Sequence, residues 1–496
     1  MSNLPLMLYT AAQVRALDLA AIASGIPGDH LMTRAGEAVV RHLRERWPTA
    51  RRIQIWCGTG NNGGDGFVIA RLLLTQGLDV EVIQVGERAR IGGDALMMFN
   101  AAVRASVSMR AWQTAYAPPT ADVIVDAVLG IGMRGEITTP WREAIIAINH
   151  AACPVLAVDI PSGLDADSGM VNGVAVRAHA TVSFIGLKRG LFTGLGRDHA
   201  GDILFDDLSV PAEVYQKVTC DVSRLCDVPG KVQNRLRSAH KGDFGHVLIC
   251  GGQPGMGGAA LLAARAALRV GAGLVSVATH PANAAHAWTV QPELMCHGID
   301  DVAALNALLS RATVVGVGPG LGQGAWGRAI WGRVIDTSKP LVVDADGLNW
   351  LAHNAVQRDD WVLTPHPGEA ARLLNTTVSE VQRDRYAAVV ALQEAYGGIC
   401  VLKGAGSLVC APGARIRVCN AGNPGMATAG MGDVLTGVIA GCIAQFSHST
   451  EDLFDVVARA VYLHAHAGDR AAQQDGEIGL AAGDLLPWIR KGANGG

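Results

Sequence analysis

Ile53–Leu74 reads IQIWCGTGNNGGDGFVIARLLL. A β-branched run passes into a glycine cluster and then into an apolar stretch. Gly58, Gly60 and Gly63 fit G-x-G-x-x-G between a strand and a helix. In that context a tight turn brings backbone N–H groups to a phosphate at a helix N-terminus. The pattern predicts a strand over 52–57 and a helix over 67–76. Asn61, Asn62 and Asp65 are unusual in such a loop. Two readings follow: the Asx residues cap the next helix, or they form a polar pocket for a sugar, a cation or a reacting ring.

Outward from this stretch, short β-branched runs alternate with Ala/Leu-rich segments, which favours parallel sheets with helical crossovers. Strands are expected at 80–85, 122–125 and 155–159, and helices at 11–23, 30–46 and 141–149. DVIVDAVLGIGMRGE places Asp126 at a strand end before a glycine-rich turn, and LAVDIPSGLDADSG places Asp159 at another, followed by Pro161 and Ser162. Ligands of open α/β sheets bind outside the carboxyl ends of strands. Three polar clusters at three such ends converge by topology; the competing reading is that each Asp only caps a turn. Asn and Ser oxygens with Asp126 suit a hard cation. Lys188, in FIGLKRGLFTG, can supply a proton or a positive charge, although a lone lysine is more often a surface residue.

Residues 210–237 carry Pro211, Pro229, Gly230 and mixed charges with little periodicity, as a linker does. Beyond it, strands are expected at 246–250, 274–278, 313–318, 341–344, 362–364, 399–403 and 416–419. Helices are expected at 258–270, 368–374, 381–396 and 432–444. The chain has no G-x-x-x-x-G-K-[ST] motif, so a Walker-type NTPase is unsupported. VVGVGPGLGQG ends a strand in glycines that let backbone approach a flat or phosphorylated ligand. VVDADGLN and LTPHPGEAARLL put Asp344, Asp346 and His366 at strand ends. VLKGAGSLV places Lys403, Gly404, Gly406 and Ser407 in a hairpin-like turn. NAGNPGMATAGMGDVLTGVIAG is a glycine-rich loop entering an apolar helix. There Gly430–Gly432 present N–H groups and a positive dipole end to developing negative charge. Asp433 can accept a hydroxyl proton beside a transferred phosphoryl group; the simpler reading is helix-end stabilisation.

Composition excludes several classes. Across 496 residues, 41 Lys and Arg against 44 Asp and Glu give a net charge of −3, too balanced for a nucleic-acid binder. Hydrophobic residues at 49% exclude disorder as the main state, and 61 glycines without a triplet period exclude collagen. The cleanest apolar stretch, 434–446, is shorter than the ~20 residues of a membrane span. No basic segment precedes an apolar core at the N-terminus, so no secretion signal is expected. The 10 scattered cysteines form no CxxC pair, as in a cytoplasmic protein with reduced thiols.

The first-half motifs NNGGDG (61–66), DAVLGIGMRGE (126–136) and VDIPSGLDADSG (158–169) resemble the NAD(P)H-hydrate epimerase family over about residues 10–215. The resemblance implies a Rossmann-like three-layer α/β domain that interconverts R and S hydrated NADH or NADPH. It implies potassium held by Asn62, Asp126 and Ser162. Hydrated nucleotide would meet Asn61, Asn62, Gly63, Gly64, Asp65, Gly130, Ile131, Gly132, Met133, Arg134, Gly135, Glu136 and Asp159. Asp159 is the expected acid/base, with Lys188 the alternative. Epimerising a carbon that bears a hydroxyl beside a ring nitrogen needs proton transfer, whether the hydroxyl leaves or the ring opens.

The second half resembles the ribokinase-like superfamily. More narrowly, PGMGGAALLAARAALRVGAGLV, VGPGLG, DADGLN, TPHPGEAARLL, LKGAGS and NAGNPGMATAGMGD resemble ADP-dependent NAD(P)H-hydrate dehydratases over about residues 238–490. That implies phosphorylation of the S hydrate by ADP and loss of phosphate to NAD(P)H, with AMP left. Lys403, Gly404, Ala405, Gly406, Ser407 and Gly432 would bind ADP. Ala259, Gly320, Gly322, His366 and Asp433 would bind the hydrate, with Asp433 the base and magnesium a phosphate counterion. Ser407 stands where the family commonly has Thr, and keeps the hydroxyl. The expected domains are 1–218 and 238–496 about a linker, 219–237, in a cytoplasmic homo-oligomer without membrane or nucleic-acid partners. A ribokinase-like kinase for a vitamin precursor, and a nonenzymatic dinucleotide-binding module, are the competing readings.

Overall fold

The computed structural model describes residues 4–113, 120–133, 135–226, 235–446 and 452–495. The chain divides into two units, 1–223 and 224–496. Of the expected linker, residues 227–234 lie outside the described residues.

In the first unit the strands are β1 (Met7–Tyr9), β2 (Arg52–Cys57), β3 (Asp79–Gln84), β4 (Ser108–Ala111), β5 (Val123–Ala127), β6 (Val155–Val158), β7 (Ala180–Phe184), β8 (Leu187–Lys188), β9 (Asp202–Asp206) and β10 (Val222–Leu225). Seven form a parallel sheet in the order β4-β3-β2-β5-β6-β7-β9. Buried on both faces, its central strands read as continuous apolar runs, VIVDA and VLAV among them. The order reverses between β2 and β5, where Trp56 pairs with Asp126 and Cys57 with Ala127. That switch point opens a crevice at the strand ends, and both loops flanking it are glycine-rich. Within the expected linker 219–237, Val222 and Ser223 of β10 pair with Leu8 and Met7.

The helices α1 (Ala11–Ala23), α2 (Gly28–Arg46), α3 (Asn61–Thr75), α4 (Gly93–Arg104) and α5 (Trp141–Asn149) complete the layers. α1 starts at a capping box made by Thr10 and Gln13. α3 begins six residues before the expected Phe67. NNGGDG is therefore the opening of a helix and not a loop. Close approach explains its glycines: a Cβ on Gly63 would lie 2.1 Å from the Gly58 carbonyl oxygen, and one on Gly64 2.6 Å from the Met32 sulfur.

The second unit holds β11 (His246–Cys250), β12 (Leu274–Thr279), β13 (Met295–Gly298), β14 (Val314–Val317), β15 (Leu341–Val343), β16 (Trp361–Leu363), β17 (Ile399–Leu402), β18 (Ser407–Cys410) and β19 (Ile416–Cys419). They run β13-β12-β11-β14-β15-β16-β17-β18-β19, parallel as far as β17 and antiparallel from there. The expected helix 381–396 is two helices, Val378–Arg383 and Arg385–Tyr396, broken at Asp384, which caps the second through Ala387 N–H. The apolar helix Met431–Phe446 packs on Gly257–Val270 through small residues. A Cβ on Gly437 would meet the Ala263 carbonyl oxygen at 1.9 Å, so nothing larger than hydrogen fits there. All ten cysteines are free. Among the described residues no helix is long and apolar enough to cross a membrane.

Candidate functional site

At the switch point of the first unit lies a cavity of about 570 Å3. Its wall includes Asn61, Asn62, Asp65, Gly130, Ile131, Gly132, Met133, Asp159 and Lys188, drawn from four separate stretches of sequence. Gly63 and Gly64 are packing residues behind the wall, and Gly135 and Glu136 lie off it. Arg134 lies outside the described residues.

Asp126 sits fully buried behind the crevice. Its carboxylate accepts from Ser162 Oγ at 2.6 Å, Ser162 N–H at 2.8 Å and Val128 N–H at 3.2 Å. Burial pushes its pKa up to about 6, against the pull of those hydrogen bonds. Ser162 Oγ also accepts from Leu129 N–H at 2.7 Å, and Asn62 Nδ2 donates to the Leu129 carbonyl at 3.1 Å. Asn62 Oδ1 is buried without a hydrogen-bond partner. An orphaned amide oxygen beside a carboxylate, a hydroxyl and a carbonyl is the donor set of a hard cation such as potassium.

Asp159 follows β6 in the left-handed region, φ 66°, a conformation that Asp tolerates better than most residues. Its Oδ1 contacts Lys188 Nζ and accepts from Phe184 N–H at 3.1 Å. Lys188 is not the surface residue that sequence favoured: it is fully buried, and its ammonium also reaches Ser183 Oγ at 3.2 Å and the Phe184 carbonyl at 3.1 Å. Three further carboxyls line the cavity with Asp159: Asp18, Asp65 and Asp94. Asp65 has its pKa raised well above normal, by burial first and then by Asp159 and Asp18. Asp18, on α1, is pushed up to about 6, by burial first, while the Lys188 charge pulls the other way. No motif marks Asp18 in the sequence; it stands in an Ala- and Leu-rich helix.

In the second unit the acids and cations converge around Lys403. Its Nζ lies 2.5 Å from Asp344 Oδ1 and 3.7 Å from Glu369 Oε2. Asp344 also accepts from Thr436 Oγ1 at 2.9 Å, in the first turns of Met431–Phe446. Burial alone would raise the Asp344 pKa; the ammonium and the Thr436 hydroxyl hold it below the usual range. Lys403 is held above its own usual value by Asp344 and Glu369, although burial works against it. Burial and then the Lys403 charge push the His366 pKa below its usual value. Its Nδ1 accepts from Gly368 N–H at 2.9 Å, capping the helix Pro367–Leu373, and its Nε2 lies 3.4 Å from Glu369 Oε1. Asp433 is pushed up to about 6, by burial first and then by Asp344, while Lys403 lowers it.

The turn 403–406 connects β17 and β18, as the hairpin reading expected. Gly404 and Gly406 take positive φ, and Ser407 Oγ donates to the Gly404 carbonyl at 3.1 Å. Sequence reasoning missed what holds this turn from beneath. Arg385, almost wholly buried, donates to the Lys403 carbonyl at 3.2 Å and the Leu402 carbonyl at 3.3 Å. Ala259 faces Gly320, whose Cβ would stand 3.3 Å from that of Ala259. Gly322 turns toward Asp346, which accepts its N–H at 2.8 Å. Among the described residues no cluster of three or more His, Cys, Asp or Glu is placed to hold a metal ion. A magnesium ion carried by nucleotide phosphates needs no such cage.

Two family profiles cover the chain: one described as YjeF-related protein N-terminus, over residues 28–190, and one described as NAD(P)H-hydrate dehydratase, over residues 247–491. The bifunctional NAD(P)H-hydrate repair enzyme of Coxiella burnetii is 46% identical, over 98% of this chain and 99% of its own length. The enzyme of that name from Vibrio cholerae is 41% identical, over 98% of each chain. The crystal structure of ADP/ATP-dependent NAD(P)H-hydrate dehydratase from Bacillus subtilis, co-crystallised with ATP and magnesium, is 27% identical over 52% of this chain and 94% of that one, with a TM-score of 0.46.

Proposed function

The chain belongs to the family of bifunctional NAD(P)H-hydrate repair enzymes, and from that premise we propose how its residues divide the labour. The protein joins an NAD(P)H-hydrate epimerase to a nucleotide-using NAD(P)H-hydrate dehydratase, and so returns hydrated cofactor to use. We assign epimerisation to residues 1–218 and dehydration to 238–496, with 219–237 between them.

In the dehydratase, the observation that carries the reading is the grouping of Asp433, Gly432 and Lys403 around one point. A Cβ on Gly432 would lie 3.3 Å from Lys403 Nζ. The N–H groups at the start of Met431–Phe446 and the Lys403 ammonium neutralise the phosphoryl group as it passes to the substrate hydroxyl. Asp433 takes the hydroxyl proton. Phosphate then leaves with the C–O bonding pair, the neighbouring ring carbon gives up a proton to solvent, and the C–H pair becomes the ring double bond of NAD(P)H. We propose that the phosphoryl donor is ADP, leaving AMP, and that the S hydrate is the substrate. Gly404, Ala405, Gly406 and Ser407 hold the adenine nucleotide. Ala259, Gly320, Gly322 and His366 hold the hydrate. Magnesium would travel with the nucleotide phosphates and offset their charge.

In the epimerase, the cavity above Asp126 receives the hydrated ring. Potassium held by Asn62, Asp126 and Ser162 would supply positive charge beneath the bound nucleotide. Asp159 exchanges the proton. One experiment separates repair from the kinase alternative: racemic NADPH hydrate incubated with the protein and ADP, followed at 340 nm and by phosphate release. Repair gives NADPH and phosphate in equal amounts until both epimers are consumed. Accumulation of a phosphorylated hydrate that never yields NADPH contradicts the reading.

A further inference from the structure

We propose that Asp18, on α1, is the second proton-transfer group of the epimerase cavity, opposite in role to Asp159. This rests on the assignment of epimerisation to that cavity.

Inverting a carbon that carries a hydroxyl sets a requirement on the protein. The hydroxyl leaves as water after receiving a proton, while the ring nitrogen lone pair closes a C=N bond. A water molecule then adds to the other face, forms the new C–O bond, and surrenders a proton. One group gives a proton and a different group, reaching the other face, takes one; a single fixed carboxylate cannot serve both faces. Water lost equals water gained, and the two groups exchange protonation states through solvent before the next turnover.

Lys188 is not that second group. It is fully buried, and its three N–H bonds meet three acceptors: Asp159 Oδ1, Ser183 Oγ and the Phe184 carbonyl. It is a positioning residue, holding one oxygen of Asp159. Burial, then the Asp159 and Asp18 charges, push the Asp65 carboxyl well above its usual range, which suits a hydrogen-bond donor to bound substrate. Asp18 lines the cavity from a different element than Asp159, and no hydrogen bond or ion pair ties it to another of the described residues. The charged groups around the same cavity are Arg15 on α1, Asp65 on α3, Asp94 on α4, Asp159 after β6 and Lys188 on β8. Burial first, with Lys188 and Arg15 pulling down and Asp159 pushing up, leaves Asp18 at about 6, where it holds and releases a proton near neutral pH.

The test is Asp18→Asn and Asp18→Glu in the full chain, measured by chromatographic interconversion of R and S NADPH hydrate without ADP. Spontaneous exchange is subtracted. Asp18→Asn is expected to lower kcat at least 100-fold with KM within threefold, to abolish the pH limb near 6, and to leave dehydration of the purified S hydrate unchanged. Asp18→Glu is expected to recover at least a tenth of the wild-type rate with a displaced limb. A kcat within threefold of wild type in Asp18→Asn, or a loss confined to KM, overturns the proposal. Should Asp18→Asn fail to fold, Asp18→Glu decides: an unaltered pH profile overturns it. Absence of epimer exchange in the wild-type chain defeats the underlying assignment instead, so the two failures are distinguishable.

Discussion

Gly432 faces the Lys403 ammonium closely: an added Cβ would stand 3.3 Å from it, a tight contact, and 3.5 Å from Asp344 Oδ2. The space above that Cα is where the phosphoryl group must pass. Gly432→Val therefore fills the anion site itself. Dehydration should fall at least 100-fold while epimerisation is unchanged. Steady-state rates of both activities check this; a dehydration rate within threefold of wild type would remove the anion hole from this place.

Asp433 must be a carboxylate to accept a proton, and its pKa is raised to about 6. The sign follows: below that value the base is protonated and idle, and above it the base is fully present. The dehydration rate should climb about tenfold per pH unit up to 6 and level off above it. A limb near 4 in the kcat profile would mean that burial does not govern this group.

Much of this was legible in the sequence, and the divide has a physical cause. Strand–glycine–helix punctuation located the switch point of the first unit, because a parallel strand buried on both faces is written as a short apolar run ending in glycine. Asp126 and Asp159 stood out as acids at such ends, and Asp433 as an acid opening a helix after a glycine-rich loop. The start of α3 was missed, because three glycines in six residues have poor helix propensity; Gly63 and Gly64 are tolerated there for the close approach of Gly58 and Met32. Lys188 and Arg385 were not legible as buried, since burial of a cation depends on acceptors brought from elsewhere in the chain. Asp18 could not be found at all, as nothing local separates a cavity-facing helical aspartate from a solvated one.

Lys188→Met removes one partner of a buried ion pair and strips the Phe184 carbonyl of its donor. Breaking such a pair destabilises by about 3–5 kcal/mol, because the remaining charge stays buried. The transition assigned to the first unit should fall by roughly 10 °C, at about 2–4 °C per kcal/mol for a unit of this size. Scanning calorimetry checks this. A shift under 2 °C would mean that Asp159 has free access to water.

Ser162→Ala removes the acceptor of Leu129 N–H and a donor to Asp126, for about 1–3 kcal/mol. It also deletes one oxygen of the proposed potassium site. In the wild type, potassium should raise the melting temperature of the first unit relative to lithium, by mass action on the folded state. In Ser162→Ala that difference should vanish. Equal response to the two cations in the wild type would leave the orphaned Asn62 oxygen to another partner.

The central claim is that two separate sites carry two separable reactions. Its most direct measurement is a pair of variants, Asp433→Asn and Asp159→Asn, each assayed for epimer interconversion and for ADP-dependent formation of NADPH from the purified S hydrate. Asp433→Asn should lose NADPH formation by at least 100-fold and keep epimerisation, and Asp159→Asn should do the reverse. Loss of both reactions in either folded variant would contradict the account.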